Sequence, residues 1–330
     1  MNEVLGFEKE HQYLLNAFKS NNLNNSIIIS GQKGIGKNTF LFNIIREFFK
    51  LSIDSNKLNH HFNLLLNNTH PNVKYISKEF DEKTKKLKSY INIDQIRNLK
   101  NFSNESSLIN NLLKVIIIDS ADDLNNNSSN SILKILEEPK NNTFIFLISH
   151  QLSSLLPTIR SRCLKIKCKN HNIDNFKIIL QNKFFDIDNE HINFLYDLSN
   201  GSPGVAIKFN DEEIFDLFDE FSSSLILKKP LSDNNIILAS KLAEFDNDKL
   251  KIFISILKFI LLNLSKIKIG VNVFDLYISE KIKNLLISSD HISQKTIMKK
   301  LEYLINNEND LFTYNLDKRN FLINFFSVAE

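Results

Sequence analysis

Tryptophan is absent from the 330 residues, and cysteine, methionine, proline and glycine number only 2, 2, 5 and 7. Two cysteines cannot staple a secreted scaffold, so a hydrophobic core must carry the fold, and a reducing cytoplasm is the expected compartment. With so little glycine and proline, collagen-like and low-complexity architectures are excluded, and a glycine cluster becomes informative. Long apolar runs are missing too. The most hydrophobic stretch, Ile252 to Leu264, contains Lys258 and falls short of the ~20 residues a bilayer span needs, so it predicts a buried helix and no membrane role. Acidic residues within Met1 to Glu10 stand where a secretory leader would have its apolar core. Neither charge sign dominates: 41 Lys and Arg face 38 Asp and Glu, a net +3 that establishes no nucleic-acid-coating surface.

The content that remains is ordinary for a globular protein, 42% hydrophobic and 24% charged, in a length that suggests two or three domains. Tyr13, Leu14, Ala17 and Phe18 recur at helical spacing, and Ile27-Ile28-Ile29 follows as a strand ending at Ser30-Gly31. Phe40, Ile44, Ile45, Phe48 and Phe49 then predict a helix from about Lys37 with one aromatic face. Val73 to Ile76 is a candidate strand, Lys83 to Lys88 an exposed basic turn, and Ile91 to Ile93 the approach to a helix capped by Asp94. Val115 to Ile118 and Thr143 to Ile148 are solid apolar runs, the pattern of parallel strands covered on both faces; Ser131 to Glu138 between them reads as a helix stopped by Pro139. Asn125-Asn126-Asn127 marks a loop. Strands alternating with helices imply a doubly wound α/β domain over residues 1–168. From Ile173 onward the spacing is helical, broken at Gly201-Ser202-Pro203-Gly204 and at Lys229-Pro230, which predicts a small helical domain at 169–212 and a helical bundle at 213–330.

Gly31-Gln32-Lys33-Gly34-Ile35-Gly36-Lys37-Asn38-Thr39 follows a strand and opens a helix, the context in which a phosphate loop is expected. Its glycines turn backbone N–H groups toward a polyphosphate, the helix start adds partial positive charge, and Lys37 would reach the outer phosphates. The hydroxyl that normally meets Mg²⁺ is replaced by Asn38; Thr39, one residue on, is rotated by ~100° around the helix and is no simple substitute. Asp119, at the carboxyl end of the Val115 to Ile118 strand, is placed to hold magnesium through water. The water-polarising carboxylate expected after it is missing, because the next residue is Ser120. Asp122 and Asp123 are read as solvated or capping residues.

Three blocks extend these motifs: Ile117-Ile118-Asp119-Ser120-Ala121-Asp122, Asn130-Ser131-Ile132-Leu133-Lys134-Ile135-Leu136-Glu137-Glu138-Pro139, and Leu155-Leu156-Pro157-Thr158-Ile159-Arg160-Ser161-Arg162-Cys163. In order and spacing the chain resembles the delta prime subunits of the bacterial DNA polymerase III clamp loader, members of the AAA+ family. Gly201-Ser202-Pro203-Gly204 and Asn315-Leu316-Asp317 extend the likeness more weakly. The resemblance implies a RecA-like AAA+ domain with a parallel sheet, a small helical lid and a C-terminal helical collar that assembles a five-subunit ring. It also implies a role for Arg162 as an arginine finger reaching, in trans, the ATP of a neighbouring subunit; the plainer alternative is a surface arginine paired with a carboxylate, the role assigned to Arg160. Gly204 stands where active relatives carry the lid arginine that senses nucleotide.

On this resemblance, the expected function is a delta prime subunit that holds a degenerate ATP site and donates Arg162 to a gamma/tau neighbour, so that the ring loads the sliding clamp onto primed DNA. Delta and gamma/tau subunits are the implied direct partners. ATP or ADP would bind at Gly31, Gly34, Gly36, Lys37, Asn38, Thr39 and Asp119, with little hydrolysis and with Mg²⁺ in doubt. No zinc is expected: the four cysteines that many relatives carry after the phosphate-loop helix are missing, and His60, His61 and His70 read as surface residues. Cys163 and Cys168, five apart on an inferred strand, face opposite sides. The rival reading is an autonomous AAA+ ATPase, a helicase loader or remodelling motor, turning over ATP at its own Lys37 and Asp119.

Overall fold

The computed structural model describes residues 5–53, 55–82, 85–105, 107–109, 112–140, 142–210, 233–271, 280–289 and 292–328. It divides into two compact units, one up to Asn170 and one from His171.

The first unit runs α1 (Glu8–Lys19), β1 (Ser26–Ser30), α2 (Lys37–Lys50), α3 (Ser55–Leu66), β2 (Val73–Ile76), β3 (Phe80–Asp81), β4 (Lys86–Leu87), α4 (Ile93–Asn104), β5 (Lys114–Ile118), α5 (Asn126–Glu137), β6 (Thr143–Ser149), α6 (Pro157–Arg162) and β7 (Leu164–Lys167). Strands β2, β5, β6, β1 and β7 lie side by side in that order, every pair parallel. All residues of β1, β5 and β6 are buried, as their unbroken apolar runs require when helices cover both faces. Alternation sorts them into two cores. Ile27, Ile29, Val115, Ile117, Phe144, Phe146 and Ile148 pack with Leu14 of α1 and with Phe40, Ile44, Ile45 and Phe48 of α2. Ile28, Ile116, Ile118, Ile145 and Leu147 pack with Ile96 and Leu99 of α4, Ile132 and Ile135 of α5, and Ile159 of α6. Each such side chain stabilises the fold by about 1.5–3 kcal/mol relative to exposure. Cys163 belongs to one core and Cys168 to the other, so the two thiols do face opposite sides, although they flank β7 rather than lie in it.

Four local expectations need correction. The cap of α4 is Asn92, whose side chain accepts from Asp94 N while Gln95 reaches back to Asn92 N. Helix α5 begins at Asn126, five residues before the expected Ser131, because Asn125 is not loop but the N-cap that accepts from Ser128 N at 2.9 Å. The basic turn is part of a small antiparallel hairpin pairing Phe80 with Leu87, with Lys88 tied to Glu79 at 2.6 Å; Lys83 lies outside the described residues. His61 and His70 are buried, and only His60 is exposed. The cause lies in α3 and the turn after it: His70 packs on Phe49, ring centroids 5.0 Å apart, and His61 turns inward to meet it.

Asparagine also explains how the chain manages with seven glycines. Asn21, Asn68, Asn142, Asn200 and Asn315 all take positive φ, the left-handed conformation that asparagine tolerates better than other side chains.

The second unit is helical throughout its described residues: α7 (Ile173–Lys183), α8 (Asn189–Ser199), α9 (Pro203–Phe209), α10 (Asp233–Ala243), α11 (Asn247–Lys268), α12 (Glu280–Ser288), α13 (Gln294–Thr313) and α14 (Lys318–Ser327). Phe253, Leu257, Ile260, Leu261 and Leu264 of α11 lie in its core with Leu304 of α13 and Leu322 and Phe325 of α14. The Ile252 to Leu264 stretch is therefore an interior helix face, and no helix among the described residues is long and apolar enough to cross a membrane. The Gly201 break joins α8 to α9; the expected boundary at 212–213 and the Lys229-Pro230 break lie outside the described residues.

Candidate functional site

Strand order places the chemistry. The carboxyl ends of neighbouring strands β5, β6 and β1 deliver Asp119 and Ser120, then Ser149 and His150, then the loop from Gly31 to Gly36. Gly31 is required by closeness: a Cβ there would stand 2.4 Å from the Cys168 carbonyl oxygen at the end of β7. Gly36 is required by conformation, since it caps α2 with φ near +90°. The loop therefore leads straight into the start of α2, the end of a helix at which an anion is favoured, while Gly31 N is bonded to Ser149 O at 3.2 Å.

The side chains that should receive that ligand are bonded to the protein itself. Lys37 is buried, and its Nζ donates to Gly31 O at 2.6 Å, to Gln32 O at 2.7 Å and to His150 Nδ1 at 3.0 Å. Because an ammonium can only donate, His150 accepts through Nδ1 and carries its proton on Nε2, which meets Ser120 Oγ at 3.0 Å. Burial is the main force drawing the Lys37 ammonium down to about 8. Burial also lowers His150, and the Lys37 charge adds to it, which keeps the imidazole neutral.

The expected metal pair is closed in the same way. Asp119 Oδ2 accepts from Tyr75 OH at 2.5 Å and from Asn38 Nδ2 at 2.8 Å. Burial and the neighbouring carboxylate push the Tyr75 phenol well above its ordinary range, so it stays a donor. Thr39 is exposed on α2. The position after Lys37 thus turns an amide N–H toward Asp119 and leaves its own oxygen, Asn38 Oδ1, buried without a hydrogen-bond partner, so in this arrangement Asn38 and Asp119 do not present a pair of oxygens to a magnesium ion. The loop, by contrast, fits phosphate once Lys37 leaves the Gly31 and Gln32 carbonyls.

Asp122 is not a solvated residue. It accepts from Ser149 Oγ at 2.8 Å, His150 N at 2.5 Å, Gln151 N at 3.1 Å and Ser154 Oγ at 2.8 Å. Burial alone would raise its carboxyl, but these four bonds outweigh that and hold it below the usual range. Asp122 thereby fixes the turn that presents His150. Asp123 pairs with Lys78 at 3.1 Å.

The histidines after α2 keep to themselves. His70 Nδ1 accepts from Asn72 N at 3.1 Å, so its Nε2 carries the proton and donates to His61 Nδ1 at 3.1 Å. Both inward nitrogens are committed, and no metal-binding group of His, Cys, Asp or Glu occurs among the described residues.

Arg162, the last residue of α6, reaches Glu137 Oε1 with Nη2 at 2.5 Å and Thr158 O with Nη1 at 2.9 Å. The carboxylate partner expected for Arg160 belongs instead to Arg162; Arg160 Nε is buried without a hydrogen-bond partner. Gly204 lies in α9 of the second unit. Sequence reasoning gave no role to Tyr75, His150 and Glu137, and read Asp122 as a solvated or capping residue. His150 carried one usable signal, its place just beyond the apolar β6 run, and Asp122 and Glu137 stood in the quoted blocks; Tyr75 carried none.

Residues 7–172, half of the chain, match the family described as DNA polymerase III, delta subunit. The DNA polymerase III subunit delta′ of Pseudomonas aeruginosa is 34% identical over 151 residues, 46% of this chain and 44% of that protein. Its Escherichia coli namesake is 23% identical over 237 residues, 71% of this chain and 67% of that protein. The matched segment therefore spans less than half of the Pseudomonas relative. A DNA polymerase III gamma subunit-related protein of Thermotoga maritima aligns over 98% of both chains at 18% identity, with a TM-score of 0.44. With half of its length matched, and that half holding the Gly31 to Lys37 loop, Asp119 and Arg162, this chain belongs to the DNA polymerase III delta-subunit family.

Proposed function

We propose that the chain acts as the delta prime subunit of a DNA polymerase III clamp loader. It sits in a hetero-pentameric ring with delta and gamma/tau subunits, keeps a degenerate ATP site of its own, and donates Arg162 to the ATP of a gamma/tau neighbour. The planar, always charged guanidinium suits that task, because its fork of donors meets the oxygens on which charge grows as the γ-phosphate leaves. The ring then couples ATP turnover to placing the sliding clamp on primed DNA, and the chain contributes to processivity, not to nucleotide addition.

The observation that carries this reading is the self-occupied pocket. Lys37, Asn38 and Asp119 are each bonded to groups of their own chain, and the residue after Asp119 is Ser120, which bonds His150 and has no carboxylate to polarise water. That arrangement favours the quiet ring member over the autonomous ATPase. The test is a loader reconstituted with delta, gamma/tau, clamp and primed DNA. Arg162→Ala is expected to slow single-turnover hydrolysis at the adjoining site by about 10³-fold without preventing assembly, while Lys37→Ala leaves turnover unchanged. Steady ATP turnover by the isolated chain, abolished by Lys37→Ala, would establish the rival.

A further inference from the structure

Arg162 is engaged in the free subunit. Its two terminal nitrogens donate to Glu137 Oε1 and to Thr158 O, so part of the fork that a phosphate would use is already engaged. The place of Glu137 is informative. It is the last residue of α5, where the negative end of the helix disfavours a carboxylate unless a cation stands opposite. Arg162 supplies that cation from the last turn of α6, an end where positive charge is favoured. The two side chains border a cleft of about 400 Å³ lined by Asn24, Asn25, Leu136, Glu137, Pro139 and Arg162. Their side chains remain 34% (Arg162) and 45% (Glu137) exposed, so an anion carried by another subunit can reach the pair without unfolding anything.

We infer that Glu137 is a positioning residue that parks Arg162 in the unassembled subunit and surrenders it to the triphosphate of the neighbour. The inference rests on the trans reading of Arg162. A half-exposed Arg–Glu pair contributes only about 1 kcal/mol or less, whereas a triphosphate offers several oxygens and more charge to the same fork. The exchange is therefore easy, and parking reduces the competent fraction by a few-fold rather than abolishing function. Glu138 makes no ion pair among the described residues and serves as the control.

The experiment is a double-mutant cycle in the reconstituted loader with clamp and primed DNA, reading the ATP concentration at half-maximal turnover. Glu137→Gln, which keeps shape and removes charge, is expected to lower that concentration about 2- to 5-fold; Glu138→Gln leaves it unchanged. In an Arg162→Ala background Glu137→Gln is expected to do nothing. If Arg162→Ala slows turnover while Glu137→Gln is silent, raises the half-maximal concentration, or acts equally in both backgrounds, the latch is wrong and the finger stands. If Arg162→Ala changes neither turnover nor half-saturation, the trans reading falls and the latch with it.

Discussion

His70 makes the folded protein sensitive to mild acid, and the size of the effect follows from its surroundings. The ring is 2% exposed, it accepts a backbone N–H through Nδ1, and its pKa is depressed from 6.5 to about 4, chiefly by burial and further by His61 and His60. Below pH 6.5 the unfolded chain takes up a proton that the folded chain refuses until about pH 4. The unfolded state therefore binds more protons in that window, and stability falls as pH falls. The contribution is fully present above pH 6.5, and linkage gives a loss of about 2.5 kcal/mol by pH 4.5. Burial lowers His61, His11 and His150 in the same direction, so the wild-type curve alone does not isolate His70. His70→Asn does, because Oδ1 can accept from Asn72 N without titrating. Urea unfolding followed by circular dichroism between pH 7.5 and 4.5 should find this variant less stable than wild type at neutral pH, from lost packing on Phe49. The gap should then close by about 2.5 kcal/mol on acidification. A difference between the two proteins that stays constant with pH would refute the assignment.

Two further outcomes test the quiet pocket and the core. Replacing both donors that hold Asp119, in an Asn38→Ser, Tyr75→Phe double variant, should tighten Mg²⁺-dependent binding of a fluorescent ATP analogue by about tenfold, the equivalent of one lost hydrogen bond to a charged group; unchanged titrations would show that these bonds do not close the site. Burial pushes the Cys163 thiol up to about 11 and the Cys168 thiol up to about 12. Both should ignore a disulfide reagent at pH 8 in the native protein and react promptly in urea; rapid native reaction would contradict their burial.

The sheet was legible because the middles of β1, β5 and β6, Ile27 to Ile29, Val115 to Ile118 and Phe144 to Ile148, are unbroken apolar runs, which a strand covered on both faces sustains. The strand–loop–helix order around Gly31 to Lys37 was legible because three glycines and Lys37 fall within seven residues between an apolar run and a helical pattern. Helix starts were less so. Asn125 looked like a loop residue and Asn92 like the approach to a cap at Asp94, since the side chain that tolerates a turn is also the one that caps a helix, and only the partner N–H separates the two roles. His61 and His70 misled because a polar ring reads as surface until a neighbour accepts or supplies its proton.

Local order thus followed from the sequence alone: the succession of strands and helices in the first unit and the glycine loop between β1 and α2. What the side chains touch was decided by the tertiary structure. Asn38 meets Asp119 across 81 residues, Lys37 meets His150 across 113, and Arg162 returns to Glu137 on another helix. Hydrogen bonds and ion pairs act over about 3 Å, and separation along the chain says nothing of such distances until parallel strands set neighbouring ends side by side.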